Sequence, residues 1–403
     1  MSIARGRPRV EAVDTDAAVT PLELFFDLVF VFGLVQITTF MAADLSWRGL
    51  LHGVLIIGLL WWSWVCYAWV GNVARADEGL IRLTMFGAMA TMFVLALSIP
   101  EAFDDVPGGL PGPMVVALCY FLFRALHIVV FWIISTTDAG LRAQVKRFLP
   151  ATVAGTALLL VAAMTHGTLQ TALWAAALVA DYLGNVLGGA RGWRIRSVSH
   201  FAERHGLIVI IALGESIASI GVGVVGAPIS WPIVAAAVLG LTLCAALWWA
   251  CFDVTSLLAE RAFAACPPDD RARFARDAYS YLHLPLVAGI VLLALGLKKV
   301  LASVGDTAHH ELTDPLQGVS LFALVGGVVL YLLGHVAFKL RSLGVINVPR
   351  VGVAVALLAL LAAAAQVPAL ALLAILTAAV VALMVFETWH LGEERVRIRH
   401  AHD

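Results

Sequence analysis

Long apolar stretches alternate with short polar breaks along almost the whole chain. A helix needs about 20 mostly apolar residues to cross about 30 Å of hydrocarbon. Twelve stretches meet that need, at roughly 21–43, 48–70, 81–100, 113–134, 148–166, 168–188, 205–225, 231–251, 279–301, 317–338, 349–366 and 368–390. Several are parted only by tight turns, at Thr165-His166-Gly167, Gly226-Ala227-Pro228 and Gln366-Val367-Pro368. The pattern predicts an all-α, polytopic membrane bundle of about twelve transmembrane helices.

Composition makes lipid the required solvent. The 403 residues are 61% hydrophobic and only 13% charged. Soluble domains carry roughly 25% charged residues, so this chain lacks the polar surface a water-soluble fold of its size needs. The first apolar run is long and carries acids, which reads as a retained span and not a cleaved leader. Five scattered cysteines, Cys66, Cys119, Cys244, Cys251 and Cys266, form no disulfide framework or CxxC pair. A net charge of −1 gives no reason to expect a nucleic-acid partner.

The placement of charge says more than its sum. Short cytoplasmic loops concentrate Lys and Arg. With both termini in the cytoplasm, the inner segments hold 22 of the 26 basic residues, from Arg5, Arg7 and Arg9 to Arg395, Arg397 and Arg399. Arg204 and Arg350 are counted among these loop residues. Arg48, Lys298 and Lys299 fall outside, and Arg124 alone falls within a span.

The chain also carries a weak internal echo. Ser46-Trp47 precedes the second span and Ser230-Trp231 the eighth. The second ends Trp64-Val65-Cys66-Tyr67 and the eighth Trp249-Ala250-Cys251-Phe252. His127 in the fourth span corresponds to His335 in the tenth, and Asp181 in the sixth to Glu387 in the twelfth. Six spans is an even number, so the copies run parallel, with halves at 1–190 and 191–403. Such a 6+6 repeat places a site between the halves; chance recurrence in apolar sequence is the alternative.

Ionisable groups inside spans cost on the order of 3 kcal/mol each and ask for a partner or a role. Glu23 and Asp27 are four apart and share a face of the first span. Two close carboxylates in a dry interior resist joint ionisation, so a proton or a cation is expected between them. For Glu23 a cytoplasmic helix end is the alternative. Glu215 lies near the midplane of the seventh span between Gly214 and Ser216, small residues that admit another helix or a substrate. Arg124 and His127 are three apart in the fourth span. Arg124 needs an acid, and Glu215, Asp27 and Asp181 are available, with a structural salt bridge as the alternative role. The His200–Gly206 stretch with Glu203 and His205 reads as an interfacial charge cluster, and Asp253, His283, His335, Glu387 and His390 as solvated or capping groups. In this count deep acids exceed deep bases. No nucleotide-binding loop, nucleophile elbow or zinc spacing occurs in a credible context. No cofactor is named by the sequence, and a haem held by His127 and His335 is the weakest reading.

Three runs carry a resemblance. Glu23-Leu24-Phe25-Phe26-Asp27-Leu28-Val29-Phe30, His200-Phe201-Ala202-Glu203-Arg204-His205-Gly206 and Ala212-Leu213-Gly214-Glu215-Ser216 resemble the bacterial low temperature requirement A family. The resemblance implies a multi-pass protein, expected in the inner (cytoplasmic) membrane. It gives weight to Glu23, Asp27, Glu203, His205, Gly214 and Glu215, but implies no reaction or substrate.

The leading functional expectation is a secondary transporter or permease using protons or a cation. Its candidate binding residues are Glu23, Asp27, Arg124, His127, Asp181, Glu203, His205 and Glu215, and its partners are the lipid bilayer and a small solute or ion. The alternative is an intramembrane enzyme acting on a lipid or isoprenoid; a sensor or scaffold is less favoured.

Overall fold

The computed structural model describes residues 17–390. Arg5, Arg7, Arg9, Arg395, Arg397 and Arg399, which enter the charge argument above, lie outside the described residues. Among the described residues, fourteen α-helices follow one another: α1 (Pro21–Ala43), α2 (Trp47–Val73), α3 (Gly79–Leu97), α4 (Gly112–Ile134), α5 (Ala139–Ala162), α6 (Gly167–Gly188), α7 (Val198–Val222), α8 (Trp231–Phe252), α9 (Thr255–Ala265), α10 (Pro268–Phe274), α11 (His283–Gly305), α12 (Gly318–Leu343), α13 (Val348–Ala364) and α14 (Ala369–His390). A π-helical segment, Ala275–Tyr281, joins α10 to α11.

Among the described residues, eleven helical stretches are long and apolar enough to cross a membrane, and α13 is a shorter apolar helix of 17 residues. At 1.5 Å per residue α13 reaches about 25 Å, a little short of the hydrocarbon thickness. Large apolar side chains such as Leu83, Phe121, Val238 and Val355 are exposed. In water that surface would be untenable, and in a bilayer it is the ordinary outer face. The protein is a multi-pass membrane protein.

The expected turns after α5, α7 and α13 fall where the polar breaks stand. Helices α5 and α7 start well before the hydropathy reading. Helix α5 begins nine residues earlier, because the Asp138 carboxylate accepts the Leu141 amide at 3.0 Å and caps it. Helix α7 begins at Val198 and so takes in Arg204, which is fully buried. Helix α13 takes in Arg350, also buried. The charge count assigns both arginines to loops, but Arg204 meets two acids, and Arg350 one, from other helices.

The chain packs as two compact units. The first comprises residues up to Ile37, His52–Arg204 and Cys266–Arg276. Its core is aromatic, with Phe26, Trp61, Trp64, Tyr67, Tyr120 and Phe123 all buried. The rings of Phe26 and Tyr67 stack at 5.3 Å, and that of Phe123 lies 4.6 Å from Tyr67. The second unit comprises Thr38–Leu51, His205–Ala265 and the chain from Asp277 onward. Helices α11 and α12 form its centre. A Cβ placed on Gly296 would come within 2.4 Å of the Leu324 Cα, so only glycine permits this backbone approach. Small residues at such crossings replace the hydrophobic driving force that lipid removes.

Candidate functional site

The most charged buried centre lies in the first unit, where the start of α1 meets α2 and the start of α7. Helix α1 presents Glu23 and Asp27, and α7 presents His200 and Arg204. Each pair is four residues apart and therefore on one helix face. The guanidinium bridges the carboxylates: Arg204 Nη1 stands 2.8 Å from Glu23 Oε1, and Nη2 donates to Asp27 Oδ1 at 2.7 Å. His200 Nε2 lies 3.0 Å from Glu23 Oε2. The Thr20 amide and hydroxyl both donate to Glu23 Oε2 at 3.0 Å. The Trp64 indole donates to Asp27 Oδ1 at 2.8 Å, and its ring lies 5.5 Å from the Arg204 guanidinium carbon.

Two features make this centre unusual. Asp27 is wholly buried, yet its Oδ2 has no hydrogen-bond partner among the described residues. Gly71 on α2 leaves the room Glu23 occupies, since a Cβ there would stand 2.2 Å from Glu23 Oε1.

A second centre in the same unit answers the question of Arg124's acid. Arg124 Nη2 donates to Asp181 Oδ1 at 3.1 Å and to Thr152 Oγ1 at 2.7 Å, while Nη1 donates to Cys66 Sγ. The Tyr120 hydroxyl donates to the other Asp181 oxygen. His127, one turn on, is buried among the rings of Tyr67, Phe131 and Phe148.

The second unit holds a comparable centre. Arg350 donates to both oxygens of Glu387 at 2.8 Å, to His335 Nδ1, and to the Ala250 carbonyl at 3.1 Å. The Asn347 amide adds a bond to Glu387 at 2.9 Å. His335 and Glu387 are therefore buried members of an ion-pair centre, not the solvated or capping groups expected of them. His283 is buried as well, whereas His390 is exposed.

The remaining candidates stand apart. Glu215 is buried and takes hydrogen bonds from Ser219, at 2.9 Å, and from Thr38. Ser216 donates to the Ile290 carbonyl at 3.2 Å, but a Cβ on Gly214 would meet nothing within 4 Å, so no helix closes on it among the described residues. His205 is buried between the rings of Tyr279 and His283, at 5.3 and 5.2 Å. Glu203 is exposed and accepts the Val19 amide at 3.2 Å.

The count of deep bases needs correction, because Arg204 and Arg350 join Arg124 as buried cations, yet the buried acids Glu23, Asp27, Asp181, Glu215 and Glu387 still outnumber them. Charge counting by loops concealed Arg204 and Arg350. The spacing of His200 and Arg204 was the available signal, since it repeats that of Glu23 and Asp27. Among the described residues, no three His, Cys, Asp or Glu side chains gather as a metal-ligand group.

The family profile for bacterial low temperature requirement A protein (LtrA) matches residues 18–385. The chain belongs to this family. All three buried ion-pair centres fall within the matched region except Glu387, two residues past its end. This LtrA-family chain is also similar to an uncharacterized protein of Rhizobium meliloti (strain 1021), at 29% identity over 350 residues, covering 82% of this chain and 79% of that one. No solved structure matches it.

Proposed function

We propose that this LtrA-family protein is a secondary transporter of the bacterial inner membrane that binds and releases protons at the Glu23–Asp27–Arg204–His200 centre. The charge balance of that centre carries the reading. Two carboxylates against one guanidinium leave a net charge of −1 when both are ionised and His200 is neutral. Burying a net charge in a low-dielectric interior costs several kcal/mol. One proton, on His200 or on either carboxylate, cancels it. The three acceptors lie within one hydrogen-bonded cluster. A group with one exchangeable proton is what coupling a solute's movement to a proton requires.

The two Arg–acid centres are neutral and have a different role in this reading. Part of their composition supports the parallel six-plus-six repeat: each centre lies beside a histidine of the fourth or tenth span, an acid of the sixth or twelfth, and the end of the second or eighth, whereas the arginines come from non-equivalent spans, the fourth and the eleventh. They serve as anchors that hold each half rigid. The basic loops support a cytoplasmic location for both termini.

Reconstitution tests the proposal. Proteoliposomes containing a trapped pH-sensitive dye are given an inward pH gradient, then sodium, potassium or magnesium chloride. The expected result is proton movement above that of empty liposomes, accelerated by at least one of the salts and lost in Asp27→Asn. Wild-type liposomes that match empty ones under every salt would remove the basis for transport.

A further inference from the structure

We infer that the cleft between the α5–α6 ends and α10 is a binding site for an anionic phospholipid. The cleft lies wholly within the first unit and has a volume of about 1310 Å³. Its polar wall holds Arg147, Arg191, Arg194, Arg273 and Arg276 against only Asp269 and Asp270. Five positive charges and two negative ones leave a formal charge of +3 on the lining, or +2 with the Asp138 carboxylate that pairs with Arg194.

The arginines are set in place by their neighbours. Arg147 Nη1 donates to the Arg191 carbonyl at 3.2 Å and so holds the turn after α6 against α5. Arg194 Nε donates to Asp138 Oδ2 at 3.0 Å, which ties the same turn to the α5 cap. Arg191, Arg194 and Arg273 are exposed, so their charge reaches a ligand entering from outside.

The other wall identifies the kind of anion. Leu187 lines the cleft and is 77% exposed. Val179 and Leu183, at successive four-residue steps back along α6, are exposed too. An apolar stripe one helix face wide therefore runs from the hydrocarbon directly into a basic mouth. A free phosphate would use only the arginines. A phospholipid uses both, with its phosphate among the guanidinium groups and an acyl chain along Val179, Leu183 and Leu187. Guanidinium suits this contact because its planar fork meets phosphate oxygens in pairs. The positive-inside rule puts this mouth at the cytoplasmic leaflet, where basic juxtamembrane residues attract anionic lipid at about 1 kcal/mol each.

The test uses the full chain, purified in detergent and titrated separately with phosphatidylglycerol, phosphatidylcholine and inorganic phosphate. Bound lipid is counted by native mass spectrometry, and its position is read by hydrogen–deuterium exchange. Expected are at least tenfold tighter retention of phosphatidylglycerol than of phosphatidylcholine and slower exchange in residues 186–194. Replacing Arg191, Arg194 and Arg273 together by Gln should weaken phosphatidylglycerol retention on the order of a hundredfold, from about 1 kcal/mol per charge. Equal retention of the two lipids, an unchanged triple variant, or protection of residues 186–194 by inorganic phosphate as strong as by lipid would each overturn the assignment. If the triple variant does not fold, the exchange pattern of the wild type decides.

Discussion

The Arg204 centre and the Arg350 centre are built from similar parts and differ in one count. Arg350 meets a single carboxylate in a two-pronged contact and has a histidine beside it. Arg204 meets two carboxylates, with a histidine bound to one of them. The first arrangement is closed: its charges cancel, and any added proton would create an imbalance. The second is open: it is one positive charge short, and a proton closes it. In the proposed reading, a single extra acid, Asp27 one turn after Glu23, separates an anchor from a group that exchanges protons.

The largest expected effect is at the Arg350 centre. Arg350→Ala strips the buried Glu387 of the guanidinium that meets both its oxygens and leaves it the Asn347 bond, and should cost about 3–5 kcal/mol. The readout is the melting temperature in detergent, together with the yield of monodisperse protein. Replacing both partners, as Arg350→Met with Glu387→Leu, should recover most of that loss, because a buried ion pair is often matched by apolar groups of similar volume. A double variant as unstable as the single one would mean that Arg350 acts mainly through its bonds to Ala250 and His335.

Gly71→Ala attacks the other centre by volume alone. The added methyl overlaps Glu23 Oε1, and overpacking of this kind costs about 1–3 kcal/mol. Thermal unfolding should register that loss while proton flux falls in parallel. Gly71→Ala with wild-type stability and flux would show that Glu23 has room to move.

Asp27→Asn separates function from stability. Asparagine still accepts the Trp64 indole hydrogen, and Arg204 keeps Glu23. Stability should change by less than about 1.5 kcal/mol, while proton flux is lost. Glu387→Gln should do the reverse, lowering the melting temperature with flux retained in the protein that folds. Matching behaviour of the two variants would erase the distinction between anchor and exchange site.

The smallest effect concerns the α5 cap, outside the membrane. The Leu141 amide, and then Arg194, hold the Asp138 carboxyl below its usual range. A depressed carboxyl contributes stability above its unfolded value, near 3.9, and that contribution is lost as pH falls through the folded one. Asp138→Ala should cost about 1 kcal/mol at neutral pH. The gap between variant and wild type in a melting series should close as the medium is acidified below about pH 4.

The membrane class, most helices and the turns between them were legible because hydropathy over about 20 residues is a local property that lipid enforces. So was the pairing face of Glu23 and Asp27, which helical periodicity sets. Asp181 was named among the possible partners of Arg124, but choosing it over Asp27 and Glu215 required the packing of α4 against α5 and α6. Arg204 and Arg350 were misassigned because a basic residue near the end of an apolar run looks the same whether it faces water or a carboxylate. Only tertiary structure brings His200 and Arg204 of one helix against Glu23 and Asp27 of another, 177 residues away. A local pattern reports how a residue suits lipid or water on average. Whether a buried charge is cancelled depends on neighbours from distant parts of the chain, and that is settled when the helices pack.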